Sequence, residues 1–146
     1  MKIVAISGGF DPIHIGHVRM IREGRALGDK LVVILNNDNW LMRKKGFVFM
    51  PEAERKEVLE AIAGVDEVIL TDHEPDDDDR SVCRMLRRIQ PDVFANGGDR
   101  KPDEDPVPEV SLCEELGIEM VYNIGHGGKV QSSSWLTGRV KEAGHG

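Results

Sequence analysis

Five short apolar runs, at residues 3–6, 31–35, 68–70, 93–95 and 118–122, recur along the 146-residue chain, and the segments between them carry helical character. Alternation of this kind implies a parallel sheet with helices on both faces, and right-handed crossovers then leave few topologies. The expected fold is a Rossmann-like, doubly wound, five-stranded α/β sandwich in one domain, residues 1–146. Helices are expected at 16–27, stopped by Gly28, and at 52–63, opened by Pro51 and ended by Gly64. The second of these has acids in its first turn and sets Val58, Leu59, Ile62 and Val65 on one side. Further helices are expected around 81–89, 108–116 and 132–143, and no internal repeat or linker interrupts the pattern.

Open sheets of this class bind ligands beyond the carboxyl ends of their strands, near the switch in strand order. The segments that follow the five runs read SGGFDPIHIGH, NNDNW, TDHEP, NGGDR and NIGHGG. Nearly all the glycine, histidine and amide chemistry of the chain therefore falls on one edge.

Composition narrows what that edge can serve. Acids outnumber bases 26 to 19, a net charge of −7, whereas a general nucleic-acid surface needs a basic face. A polyphosphate ligand must instead meet locally concentrated positive groups. No apolar stretch reaches the ~18–20 residues of a membrane span, and MKIVAISGG is no secretory leader, so a cytoplasmic protein without membrane partners is expected. Cys83 and Cys113 lack metal-site spacing and read as reduced structural thiols. The acidic run at residues 74–79 reads as a solvated loop.

The most informative segment joins the first strand to the first helix. Gly8 and Gly9 let a backbone approach a phosphate, and the following helix offers free N–H groups and the positive end of its dipole. The spacing is not that of the GxGxxG dinucleotide fingerprint, which disfavours an ordinary dehydrogenase. One histidine at a helix start is usually a cap or a surface residue. Two of them, His14 and His17, placed around Gly16 on the ligand edge, favour a functional pair. A catalytic zinc needs about three protein ligands, and no third is evident.

His14-Ile15-Gly16-His17 matches the HxGH signature of the nucleotidyltransferase superfamily, and GGFDPIHIGH, which includes Phe10 and Asp11, resembles the opening of its cytidylyltransferase-like branch. RALGDKLVVILNND, RKKG, PEAERKEVLEAIAGVDEVI and SSSWL resemble that branch's second strand, basic loop, arginine-bearing helix and terminal Ser/Thr signature. Within the branch, GGDRKPDED most resembles the heptose 1-phosphate adenylyltransferases; glycerol-3-phosphate cytidylyltransferase is similar but differs there.

The resemblance implies that a phosphate oxygen of a sugar 1-phosphate or polyol phosphate attacks the α-phosphorus of a nucleoside triphosphate, ATP before CTP, and that pyrophosphate leaves; transfer to flavin mononucleotide or phosphopantetheine is the alternative, and a nucleotide-binding sensor the non-enzyme one. Positioning and well-placed positive charge supply such catalysis. His14 and His17 would direct N–H groups at phosphate oxygens, with Lys45 of the loop before Gly46 as a third catalytic group and Mg2+ arriving with the triphosphate. Gly8, Gly9, Phe10, Gly16 and Arg55 would contact the nucleotide. Gly97, Gly98 and Asp99 would meet its base and ribose, and Ser132, Ser133 and Ser134 its β- and γ-phosphates. Asp11, Asp38 and Lys44 are candidates for the small phosphorylated acceptor, with Trp40 beside them. The resemblance also suggests a homodimer.

Overall fold

A computed structural model describes residues 1–76, 81–97 and 108–124. Ten elements follow one another: β1 (Ile3–Gly8), α1 (Ile15–Ala26), β2 (Lys30–Leu35), α2 (Asp38–Lys45), α3 (Glu52–Glu60), β3 (Glu67–Leu70), α4 (Cys83–Ile89), β4 (Val93–Gly97), α5 (Pro108–Leu116) and β5 (Glu119–Ile124). The strands form one sheet in the order β3-β2-β1-β4-β5, and every pairing is parallel. This is the expected Rossmann-like sandwich. The chain steps outward from β1 through β2 to β3, then returns to β4 on the other side of β1. The switch in order thus lies at β1, whose carboxyl end feeds the histidine-bearing turn.

The apolar runs become strands because both of their faces are covered. Side chains of β1, β2 and β4 alternate between two cores. Val4, Ile6, Leu31, Val33, Leu35, Val93 and Ala95 pack with Ile21 of α1 and Leu59 of α3. Ala5, Ile34 and Phe94 turn the other way, onto Met85 and Leu86 of α4 and Leu112 and Cys113 of α5. Each fully buried Leu, Ile or Phe contributes about 1.5–3 kcal/mol over an exposed one. Gly28 is required where α1 returns to the sheet, since a Cβ there would lie 2.7 Å from the Lys2 carbonyl oxygen.

Three sequence expectations are corrected. Residues 38–45, including the segment expected as a basic loop, form the helix α2. The side-chain oxygen of Asn37 caps its first turn by accepting from Trp40 N–H at 3.0 Å, and Gly46 ends it with φ +82°. Helix α3 stops at Glu60 and not at residue 63. Leu59 is buried but Val58 is 37% exposed, so it does not share the inward face. The helix expected at 132–143 lies outside the described residues.

Cys83 and Cys113 are not joined in a disulfide, and burial above all pushes the Cys113 thiol up to about 11, as suits a packing residue. Among the described residues no helix is long and apolar enough to cross a membrane.

Candidate active site

At the carboxyl end of β1 the chain turns through Gly9, Phe10 and Asp11 and enters α1 at His14. The extended backbone of His14 makes it the N-cap, and its Nδ1 accepts the N–H of Gly16 at 3.1 Å. His17 completes a reciprocal box: its Nδ1 accepts the N–H of His14 at 3.2 Å. A ring nitrogen that accepts a backbone N–H carries no proton, so each neutral imidazole must carry its proton on Nε2. Both histidines thereby become Nε2–H donors held by the helix start. The rings stack with centroids 3.8 Å apart, and Phe10 lies against His17 at 4.7 Å.

The electrostatics keep the pair neutral. Burial, assisted by His14 and Lys45, lowers the His17 pKa to about 3, and burial lowers that of His14. Nε2 of His14 is buried and has no hydrogen-bond partner among the described residues. A buried donor without a partner costs stability unless a ligand answers it. The first turn of α1 contains no acid, so its dipole is not neutralised from within the helix. Lys45, in the last turn of α2, extends its Nζ to 3.4 Å from the Asp11 carbonyl oxygen. Burial lowers its pKa, with Asp11 opposing and Arg55 adding to the shift. Two neutral N–H donors, an ammonium and a helix N-terminus thus meet at one turn, an arrangement suited to a phosphate group.

The neighbouring charged residues are arranged quite differently. Asp11 is fully buried, and its carboxylate accepts the backbone N–H groups of Phe49, at 2.7 Å, and Met50. The Arg55 side chain has no exposed surface. It donates to the carbonyls of Met50 (2.8 Å), Gly9 (2.8 Å) and Asn36 (2.6 Å), and to the Asp38 carboxylate at 2.7 Å. Asp38 N–H donates in turn to Glu52 at 2.8 Å. Asp11 and Arg55, expected to touch substrate and nucleotide, therefore brace the β1 turn, α2 and α3 from inside. Asp38 keeps part of its carboxylate at the surface but is committed to Arg55. Gly8 and Gly9 also have a packing reason: a Cβ would come within 3.1 Å of the Phe10 ring or 3.0 Å of Leu41 respectively. Lys44 is exposed and sets its ammonium 4.7 Å from the centre of the Trp40 ring.

A cytidylyltransferase-like family model matches residues 5–120, a span that includes both histidines, Lys45 and the whole sheet except the first two residues of β1 and the last four of β5. The chain belongs to the cytidylyltransferase-like family. It is a nucleotidyltransferase. The FAD synthase of Ferroglobus placidus is 42% identical over 121 residues, covering 83% of this chain and 75% of that protein. The bifunctional protein HldE of Streptomyces coelicolor is 38% identical over 121 residues, 82% of this chain but 24% of its own length. The nucleotidyltransferase described here therefore spans about a quarter of that relative. Among solved structures, a lipopolysaccharide core biosynthesis protein from Thermoplasma volcanium superposes with a TM-score of 0.66 at 27% identity, covering 84% of this chain and 96% of that one.

Of the residues expected at the site, the structure brings His14, His17, Gly16, Phe10, Lys45 and the two glycines of the β1 turn together. Gly97 closes β4 on the same edge. Gly98, Asp99 and Ser132–Ser134 lie outside the described residues. Among the described residues no group of three or more His, Cys, Asp or Glu side chains is placed to hold a metal ion. Asp11 spends its carboxylate on backbone N–H groups. Sequence reasoning missed Asn36, buried at the end of β2, and His73, buried after β3. Nε2 of His73 bonds the Ser81 carbonyl at 3.0 Å and its Nδ1 the Thr71 hydroxyl at 2.8 Å, while Asn37 ties Thr71 and His73 to the start of α2. Only the position of TDHEP after a strand marked His73, and its saturated bonding makes it a structural residue.

Proposed function

We propose that the chain transfers AMP from ATP to the phosphate of a small acceptor, a sugar 1-phosphate in the first reading, and releases pyrophosphate. An acceptor phosphate oxygen forms the new bond to the α-phosphorus as the bond from that phosphorus to the bridging oxygen of pyrophosphate breaks. Nε2–H of His17 donates to the α-phosphate as its charge grows, and Nε2–H of His14 holds an adjacent phosphate oxygen. Both act as neutral donors and need surrender no proton. Lys45 supplies the fixed positive charge. Magnesium belongs to this reading as part of the triphosphate complex, held through phosphate oxygens. Gly97, Gly98 and Asp99 are assigned to the base and ribose, and the three serines to the β- and γ-phosphates.

The observation that carries the reading is the histidine box, which spends both Nδ1 atoms on the helix start and leaves the buried Nε2 donor of His14 unanswered among the described residues. The sugar 1-phosphate reading is supported by the GGDRKP segment and by the likeness to HldE proteins. A second acceptor, FMN, is supported by 42% and 38% identity to two FAD synthases, each matched over three quarters or more of its length. Pyrophosphate release measured across four triphosphates, several sugar and polyol phosphates and FMN tests both. ATP with a sugar 1-phosphate should give the highest kcat/KM; FMN as best acceptor would select the second reading, and CTP above ATP would overturn the base assignment.

A further inference from the structure

Two amide side chains lie at the same carboxyl edge and play no part in the histidine site. Asn36 follows β2, and its N–H continues the ladder by donating to the Gly8 carbonyl at 2.9 Å. Asn96 lies in β4, on the other side of β1. Both are more than nine-tenths buried, at 4% and 9% exposure. Oδ1 of Asn36 and Nδ2 of Asn96 are buried without a hydrogen-bond partner among the described residues. Strand alternation places both on one face, since Ile34 and Phe94, two residues earlier, pack in the α4/α5 core. Ser7, two residues after Ala5 of that core, lies on the same face between them. Two inter-strand spacings separate the strands that carry the amides, roughly 10 Å.

Buried amides are normally hydrogen-bonded, and an orphaned polar atom costs stability. Two orphans flanking the strand that carries the reaction turn mark a place a ligand fills. The displacement is in line, so the acceptor must approach the α-phosphorus from the side away from the departing pyrophosphate. With the polyphosphate drawn to the start of α1, on the opposite face, the free side lies across the end of β1 towards α4 and α5.

We infer that Asn36 and Asn96 recognise hydroxyl groups on the carbon chain that bears the acceptor phosphate. A hydroxyl both donates and accepts, so it answers an orphaned oxygen and an orphaned nitrogen alike. The acceptor class is therefore a polyol or sugar phosphate, and it includes FMN, whose phosphate ends a ribityl chain. The inference rests on the transferase reading above and names its second substrate by chemistry.

Binding separates the two, because it requires no turnover. Calorimetry with glucose 1-phosphate, glycerol 3-phosphate, FMN and n-butyl phosphate, each with wild type, Asn36→Ala and Asn96→Ala, reads the hydroxyl contribution directly. At least one hydroxylated phosphate should bind wild type 10-fold or more tighter than butyl phosphate, and each variant should lose most of that advantage while keeping its affinity for ATP. Which probe binds best distinguishes a sugar from a flavin source. Butyl phosphate binding as tightly as all three others, variants that keep the preference, or variants that lose ATP affinity equally would each overturn the inference. Asn36→Leu and Asn96→Leu supply a folding control. An orphaned polar atom costs the folded state stability, so apolar replacement should leave both melting no lower than wild type, and a lowered melting temperature in both would make the amides structural and overturn the inference. The transferase reading fails separately, if wild type releases no pyrophosphate with any probe.

Discussion

The turn after β1 and the brace beneath it contain similar residue types, yet their polar groups are satisfied in opposite ways. In the brace, Arg55 meets three carbonyls and a carboxylate, and the Asp11 carboxylate meets two backbone N–H groups. At the turn, the histidines satisfy the helix start through Nδ1, and the Nε2 of His14 is buried without a partner among the described residues. A charged residue whose partners are all met holds a shape; a neutral donor left unmet on a rigid element is poised for a ligand. The distinction predicts where substitutions damage stability and where they damage turnover.

The largest effect should fall on the brace. Arg55→Met strands the Asp38 carboxylate and three carbonyl oxygens, at a cost of about 3–5 kcal/mol. Thermal and urea unfolding should show that loss, with Arg55→Lys recovering little of it because one ammonium cannot reach four acceptors spread around a planar fork. A stable Arg55→Met that has lost only nucleotide affinity would move Arg55 from the brace to the site.

His17→Ala should do the reverse. Loss of one transition-state donor lowers kcat by roughly 10²–10³-fold while nucleotide affinity changes far less. Steady-state kinetics and equilibrium ATP binding on the same preparation check the split. Full activity would remove His17 from the mechanism.

Acid should weaken the fold through the same residue. The His17 pKa is lowered to about 3 in the folded chain against an ordinary 6.5. Below pH 6.5 the unfolded chain binds a proton that the folded chain refuses, so stability falls as pH falls, down to about pH 3. About 2 kcal/mol should be lost between pH 6.5 and 5 from this group, and His17→Gln should flatten that part of the profile. Identical slopes in wild type and His17→Gln would contradict the burial of a neutral imidazole.

The smallest effect separates two adjacent lysines. Lys44→Ala removes an exposed contact with Trp40, worth ~0.5–1 kcal/mol, and should leave kcat within a factor of a few. Lys45→Ala should reduce turnover at least tenfold, as expected for loss of a fixed charge beside the reacting phosphate. Equal losses would merge the two roles.

The sheet was legible because strands buried on both faces must be apolar throughout, and those runs carry the register of the fold. Helix α2 was not, since only two of its eight residues, Leu41 and Met42, are aliphatic or Met, and its basic last turn reads as a loop. Its signals were punctuation, with Asn37 before it, Gly46 after it and three basic residues against the carboxyl-terminal dipole. The histidine pair was legible through its spacing around Gly16. The burial of Asp11 and Arg55 was not, because a sequence names charged groups without saying which carbonyls and N–H groups surround them. Asn36 and Asn96 escaped for the same reason: amides at the ends of strands read as ordinary turn residues until their orphaned atoms are located.

Nitrogen-15 NMR of the imidazoles reads the tautomer and charge of the histidine box in one experiment. At pH 7 His14 and His17 should both carry their proton on Nε2, His17 should stay neutral until the pH approaches 3, and ATP should shift both Nε2 resonances while leaving the Nδ1 signals in their hydrogen-bonded positions. A His17 that titrates near 6.5, or a ring protonated on Nδ1 at pH 7, would contradict a neutral pair of Nε2–H donors.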